Sequence, residues 1–385
     1  MLTTPAEHST TPQNPLLRGT FHPRFFQRAR KLTSLLTASV VLAGATGGCS
    51  AFQGPQPDRT LVGLEHNAVA IAGSEELSDA QAQVWRDQAA TLHAEAERLC
   101  GMTKDGSLPP SCVYSIDPVS GQIDAQSQRT LKTLTPGDKD GDAASSEYTI
   151  DPESCAASSS GPRVAGKRAA TLETVLDAMI ASLSEADKTS QPLIADQYVA
   201  ASLAAPQIPS LDLTAEGEND LVTHILNQLP TARGCDADFS ANLSQADKQA
   251  VEEALGWQEA SQYGLTTAAA YADPTIGNLM VAASKEHGLV EHALQTLVPQ
   301  ASTASAPGYA TPTVTPTDPT SALQYAVLDG VQSTRMWREL AARAEDPAWR
   351  EFCVRAAGQA ALRSLPLVQA AGLSVEDAGL VETHP

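Results

Sequence analysis

The chain reads as an all-α protein: a four-helix bundle over residues 244–371, preceded by a helical, loop-rich region over 76–240. Three observations predict it. Asp-Pro steps recur at Asp273-Pro274, Asp318-Pro319 and Asp346-Pro347. Each places a carboxylate where a helix wants its N-cap and a proline where the first helical residue has no use for an N–H. The segments between them are long, Ala-rich and nearly free of β-branched runs, and their apolar residues recur in alternating steps of four and three, the period of bundle helices.

Taken from the start, residues 1–31 are polar and end in the basic cluster Arg24-Phe-Phe-Gln-Arg28-Ala-Arg30-Lys31. An uncharged run follows from Leu32 to Ala45, shorter than the ~20 apolar residues of a membrane span. These are the n-region and h-region of an export signal. Thr46-Gly47-Gly48-Cys49 then resembles the lipobox of bacterial lipoproteins, in which the cysteine is diacylated and becomes the mature N-terminus. Thr46 stands where such boxes carry Leu or Val, and Ala43-Gly44-Ala45 offers ordinary signal cleavage as the alternative. The expectation is a signal peptide over 1–48, an acylated Cys49 and a tethering linker over 49–75. Two acyl chains suffice for stable anchoring, which gives an address on the outer face of a plasma membrane.

The net charge of −20 excludes a class of partner. Five cations and one anion precede Cys49, so the body without its leader stands at −24. It should be repelled by nucleic acid and by anionic headgroups.

Export also sets the expectation for Cys100, Cys112, Cys155 and Cys235: two disulfides in an oxidising compartment. Three pairings are open, and Cys100–Cys112 with Cys155–Cys235 is the favoured set. Cys353 lies in a helical stripe and reads as a small buried hydrophobe.

In the N-terminal region the pattern predicts a helix from Ser78 to Cys100, closed by Gly101. Helices are expected over Ala169–Leu183, near Ile194–Ala204 and over Glu218–Leu229. His93 and Glu97, one turn apart, read as a solvated face. Asp138-Lys-Asp-Gly-Asp142 is calcium-like in composition but lacks the spacing and terminal Glu of an EF-hand. This region either packs on the bundle or stands alone.

In the bundle, helix one offers Val251, Leu255, Gln258, Gln262 and Leu265 inward. Helix two offers Met280, Ala283, His287, Val290 and Leu294, and helix three Val327, Gly330, Thr334 and Trp337. Helix four offers Trp349, Cys353, Ala360, Ser364 and Leu367, with Pro366 expected to kink or end it. The connection 299–318 is long enough to cross the bundle end to end.

Here the chain resembles a known family. Ala306-Pro-Gly-Tyr309, Asp318-Pro-Thr-Ser-Ala-Leu323, Met336-Trp337-Arg338, Asp346-Pro-Ala-Trp-Arg350 and Arg363 look like the ferritin-like domain of unknown function (family 4439) of actinobacterial proteins. Tyr263-Gly264 and Glu286-His287 fit its first helix pair. The resemblance covers residues 245–370 and implies a ferritin-like four-helix fold. It brings no established activity.

A ferritin-like di-iron centre needs a Glu from each of two helices and a Glu-x-x-His from each of the other two. No Glu-x-x-His occurs in the chain. Gln258 and Gln262 stand where carboxylates would, and Asp329 lies beside the inward Gly330, so the interior reads as emptied of acids. His287 is the one inward ionisable residue, expected as a neutral imidazole against a glutamine amide. Weak metal candidates are His287 with Glu286, Glu291 and Glu259; Glu286, Glu291 and His292 otherwise read as a solvated face. No G-x-S-x-G elbow and no phosphate-cradling glycine loop is present.

The expectation is therefore a lipid-anchored envelope protein whose bundle serves binding or structure, without catalysis and without a cofactor. Its partners would be the membrane through its anchor and an envelope protein or apolar ligand. The alternative is a metal-binding protein built on His287 and nearby Glu.

Overall fold

The computed structural model describes residues 55–74, 77–116, 172–204, 243–298 and 314–381, all within the unit Gln53–Pro385. Every regular element among them is helical. The leader, Cys49, Cys155, Cys235, the calcium-like run at 138–142, the expected helix over 218–229 and the Tyr309 loop lie outside the described residues.

The first element corrects the sequence reading. Residues 59–72 belong to helix α1 (Arg59–Ala72), where a linker over 49–75 was expected. Asp58 caps it by accepting from the Thr60 and Leu61 amides, and Leu61, Leu64, Ala68 and Ile71 give it a buried stripe. That stripe was legible, but the short polar run before it disguised the start of the fold.

Helix α2 (Asp79–Cys100) pairs with α1. It opens on a reciprocal cap, Ser78 accepting from the Gln81 amide while the Gln81 side chain accepts from the Ser78 amide. Cys100 is bonded to Cys112, one of the two expected disulfides, which folds loop 101–116 back on the helix end. Helices α3 (Leu172–Ser182) and α4 (Gln191–Leu203) fall where the apolar spacing placed them, within a few residues.

The bundle consists of α5 (Gln245–Ala269), α6 (Pro274–Leu297), α7 (Pro319–Arg343) and α8 (Pro347–Ala370). All three Asp-Pro starts behave as expected: Asp273, Asp318 and Asp346 each accept two backbone amides of the first turn. A buried carboxylate supports the last corner from outside. Asp247 of α5 accepts from the amides of Glu345 and Asp346 at 3.1 and 2.9 Å, tying the α7–α8 turn to the first helix. Pro366 does not end α8, which runs on to Ala370. The proline sits on the exposed side of the final turn, where water can take the carbonyl that its missing N–H leaves free.

Cross-helix pairs fix the connectivity. Gln258 meets His287 and Thr266 meets Ser284, so α5 and α6 are antiparallel. Asp247 meets Glu345, Ser261 meets Asp329, and Gly264 faces Tyr325, so α5 and α7 are antiparallel too. Helices α6 and α7 therefore run the same way, so the end of α6 and the start of α7 lie at opposite ends of the bundle. Trp337, Trp349 and Phe352 fill one end of the α7–α8 interface, with ring centroids 5.4 to 6.2 Å apart. A short helix, α9 (Val375–Ala378), follows in the segment expected as a tail.

The N-terminal helices pack on the bundle through α4. Its Tyr198 and Ser202 lie against the backbone of α8 at Gly358, where an added Cβ would meet the tyrosine ring at 2.8 Å. Asp196 accepts from Arg338 of α7 at 3.0 Å. On its other side, Gln197 and Gln88 of α2 exchange amide-to-carbonyl hydrogen bonds. One continuous hydrophobic core results, from Leu61 to Leu380.

Candidate functional site

The polar residues at the centre of the bundle come from all four helices. Gln258 and Ser261 stand one turn apart on α5, Glu286 and His287 are neighbours on α6, Asp329 and Ser333 lie on α7, and Arg363 and Ser364 on α8. Gln258, Ser261, Glu286, His287, Asp329, Ser333 and Ser364 are buried, and the Arg363 side chain is 7% exposed.

They form two linked sets. In the first, Ser261 donates to Asp329 Oδ1 at 2.7 Å, Asp329 Oδ2 lies 3.3 Å from His287 Nε2, and His287 Nδ1 lies 2.6 Å from the side-chain amide of Gln258. Burial pushes the imidazole's pKa down and the nearby Arg363 charge adds to that, against a smaller upward pull from Asp329. A neutral ring has one proton to give. Placed on Nε2 it answers Asp329; Nδ1 then accepts, and the amide nitrogen of Gln258 becomes its donor. Amide ends are assigned by such networks, and this arrangement employs a nitrogen that otherwise has no partner.

In the second set, Arg363 Nε lies 2.9 Å from Glu286 Oε2, with both side chains more than nine-tenths buried. The contact is ionic rather than an aligned hydrogen bond. Burial raises the Glu286 pKa and the guanidinium pulls it back. Between the two sets lies a cavity of about 10 Å³, lined by His287, Asp329, Gly330, Ser333, Arg363 and Ser364 among others. That is room for about one water molecule. Ser333 Oγ and Arg363 Nη1, both on its wall, have no hydrogen-bond partner.

The structure corrects two expectations. The interior is not emptied of acids: Asp329 is buried beside His287, and Glu286, expected on a solvated face, is 7% exposed. Asp329 was misplaced because α7 is covered on three sides, by α5, α8 and α4, so its buried arc is wider than one stripe. Glu286 is buried because Arg363 supplies a counter-charge from another helix, which no spacing rule within α6 can show. Of the remaining candidates, Glu291 accepts from Gln262 and Gln295 at the half-exposed rim, Glu259 is half-buried, and His292 is exposed. Cys353 is buried, its thiol pKa pushed well up by burial.

The arrangement decides what chemistry is within reach. A two-metal carboxylate centre needs several acids and imidazoles with free lone pairs. Here one acid is matched by a permanent cation, and both ring nitrogens are engaged. Among the described residues no group of three or more His, Cys, Asp or Glu could hold a metal ion. Nor is Ser261–Asp329–His287 arranged as a hydrolytic triad: the hydroxyl bonds the carboxylate and not the imidazole that would act as general base.

A second cluster, with Glu65 and Tyr114 buried and His93 and Glu97 partly exposed, joins the N-terminal helices. Glu65 of α1 accepts from the Tyr114 hydroxyl at 2.5 Å and contacts His93 Nδ1 at 3.1 Å; Glu97 lies 3.4 Å from His93 Nε2. The hydrogen bond with Glu65 raises the His93 pKa. Glu65-His66 and the His93/Glu97 face are both visible in the sequence, but their connection through Tyr114 is not, because Glu65 and Tyr114 arrive from α1 and from the disulfide loop.

No helix among the described residues is long and apolar enough to cross a membrane. No curated protein and no solved structure matches the chain. Residues 250–375, which begin inside α5 and end at the first residue of α9, match the family described as Domain of unknown function (DUF4439).

Proposed function

We propose that this is an exported, lipid-anchored cell-envelope protein whose ferritin-like bundle serves binding or structure rather than catalysis. One observation carries the non-catalytic part. The centre of the bundle, where such folds build metal sites, is occupied by a buried Glu286–Arg363 pair and a closed Ser261–Asp329–His287–Gln258 chain. A fixed cation at that point repels a divalent ion, and the small cavity leaves no room for an organic substrate. The ferritin-like reading is supported by the parallel run of the second and third bundle helices, which is the helix direction of ferritin-like folds. The anchoring reading is supported by the basic and apolar leader that runs into Cys49.

Two measurements test it. Elemental analysis of the purified protein should give no stoichiometric iron, manganese or zinc. A metal present at one or two per chain, and lost on His287→Ala, would establish the metal-binding alternative instead. For the anchor, Cys49→Ser should release the protein into the medium or leave an unprocessed precursor; unchanged size and membrane retention would refute acylation.

A further inference from the structure

The loop closed by Cys100–Cys112 is pinned to the start of the described chain. Ser111 donates to the Pro55 carbonyl at 2.5 Å. Cys112 Sγ lies 3.3 Å from the same oxygen, a contact only, since a disulfide sulfur carries no proton. Tyr114 is held by Glu65. From this clamped loop two large apolar side chains stand into solvent, Met102 at 68% and Val113 at 60% exposure, the most exposed large hydrophobics among the described residues. They follow the two bridged cysteines by two positions and one, so the disulfide keeps them near each other. The local charge is also unusual for a chain at −20: Lys104 and Asp105 cancel on the loop, as do Asp58 and Arg59 beside it.

We propose that this loop is the surface the protein rests on the bilayer, with Met102 and Val113 entering the headgroup layer. The proposal depends on the acylation of Cys49 put forward above. Pro55 lies six Cα steps after Cys49, a reach of about 20 Å, so acyl chains in the membrane hold the loop within that distance of it. These four charges cancel, so a lipid surface does not push this loop away as it would a strongly acidic face. Two apolar side chains add little affinity beside the acyl chains; their effect is orientation, turning this end of the molecule to the membrane and the bundle away from it.

The test uses the full-length, membrane-extracted protein in phosphatidylcholine vesicles with brominated tails. An indole is introduced by Met102→Trp, or by Gln83→Trp on the exposed side of α2, about 25 Å along the helix from Cys100. Emission of the unsubstituted protein is subtracted. The expected result is severalfold stronger bromine quenching and a blue shift for the indole at 102, and neither at 83; Cys49→Ser should abolish the difference. Equal quenching at both positions in protein shown by mass spectrometry to be acylated at Cys49 would overturn the docking proposal alone. Absence of acyl chains from Cys49 would instead bring down the anchor and the docking surface with it.

Discussion

Arg363 of α8 meets Glu286 of α6 at 2.9 Å inside the bundle, with each side chain less than a tenth exposed. Neither residue has another countercharge at that distance among the described residues, so the pair stands or falls together. Arg363→Met should leave a buried, uncompensated carboxylate and cost about 3–5 kcal/mol in urea unfolding. The double change Glu286→Leu with Arg363→Met should recover most of it, because two apolar groups of similar volume need no partner. A double variant no more stable than the single one would show that the pair does not act as a unit.

Close helix contacts give a second prediction, one in which two effects oppose each other. Replacing a glycine by alanine inside a helix gains about 0.5–1 kcal/mol when the site is open. Gly256 is open, with nothing within 4 Å of an added Cβ, and Gly256→Ala should stabilise by that amount. At Gly264 the new methyl would overlap the Tyr325 hydroxyl, and at Gly330 the Ser364 hydroxyl. Gly264→Ala should therefore destabilise by about 1–3 kcal/mol, as overpacking does. Tyr325→Phe, which removes the clashing atom, should restore part of the loss. Thermal unfolding of the four proteins decides it.

The half-buried His93 and the buried His287 should titrate in opposite senses. His93 has its pKa raised by Glu65, so it contributes stability that is complete below about 6.5, the ordinary imidazole value, and lost as pH rises through its higher folded pKa. His287 has its pKa lowered by burial and by Arg363, so folding is favoured above about 6.5 and weakened as pH falls below it. Ring-proton shifts in NMR should place one midpoint on each side of that value. Two midpoints on the same side would contradict the environments described here.

Removing the Cys100–Cys112 bridge by a paired change to Ser should cost about 2–4 kcal/mol, the range for loops of this size, whose ends are 12 residues apart. Tyr114→Phe, with the bridge intact, should cost about 1–3 kcal/mol because it strips Glu65 of a buried donor. A loss from Tyr114→Phe that vanishes in the bridge-free protein would show that the disulfide acts by delivering the hydroxyl.

How much of this was legible follows from where each signal resides. The three Asp-Pro starts, the Ser78 cap and the inward His287 depend on residues within one helix, so spacing alone exposes them. The length of the connection 299–318 agrees with the parallel run of α6 and α7. The burial of Glu286 and Glu65 was not legible, because each is buried by a partner on another element: Arg363 lies 77 residues downstream, and Tyr114 lies 49 residues away on the disulfide loop. Arg363 entered the reading only as part of a family likeness, with no role. Helix α1 was missed for a different reason: its stripe is in the sequence, but the polar tether expected next to Cys49 was extended across it.

The segment shared with other proteins and the segment that can stand alone are not the same. The match begins at residue 250, three positions after Asp247, whose carboxylate fastens the corner before α8. It also omits α4, whose Tyr198 covers Gly358 and whose Asp196 neutralises Arg338. A recombinant fragment cut at the family boundary would lose the Asp196–Arg338 contact, the Tyr198 cover over Gly358 and the Asp247 tie to the turn before α8. Expression of residues 55–381, not 250–375, is therefore the sound starting point for any further experiment on this fold.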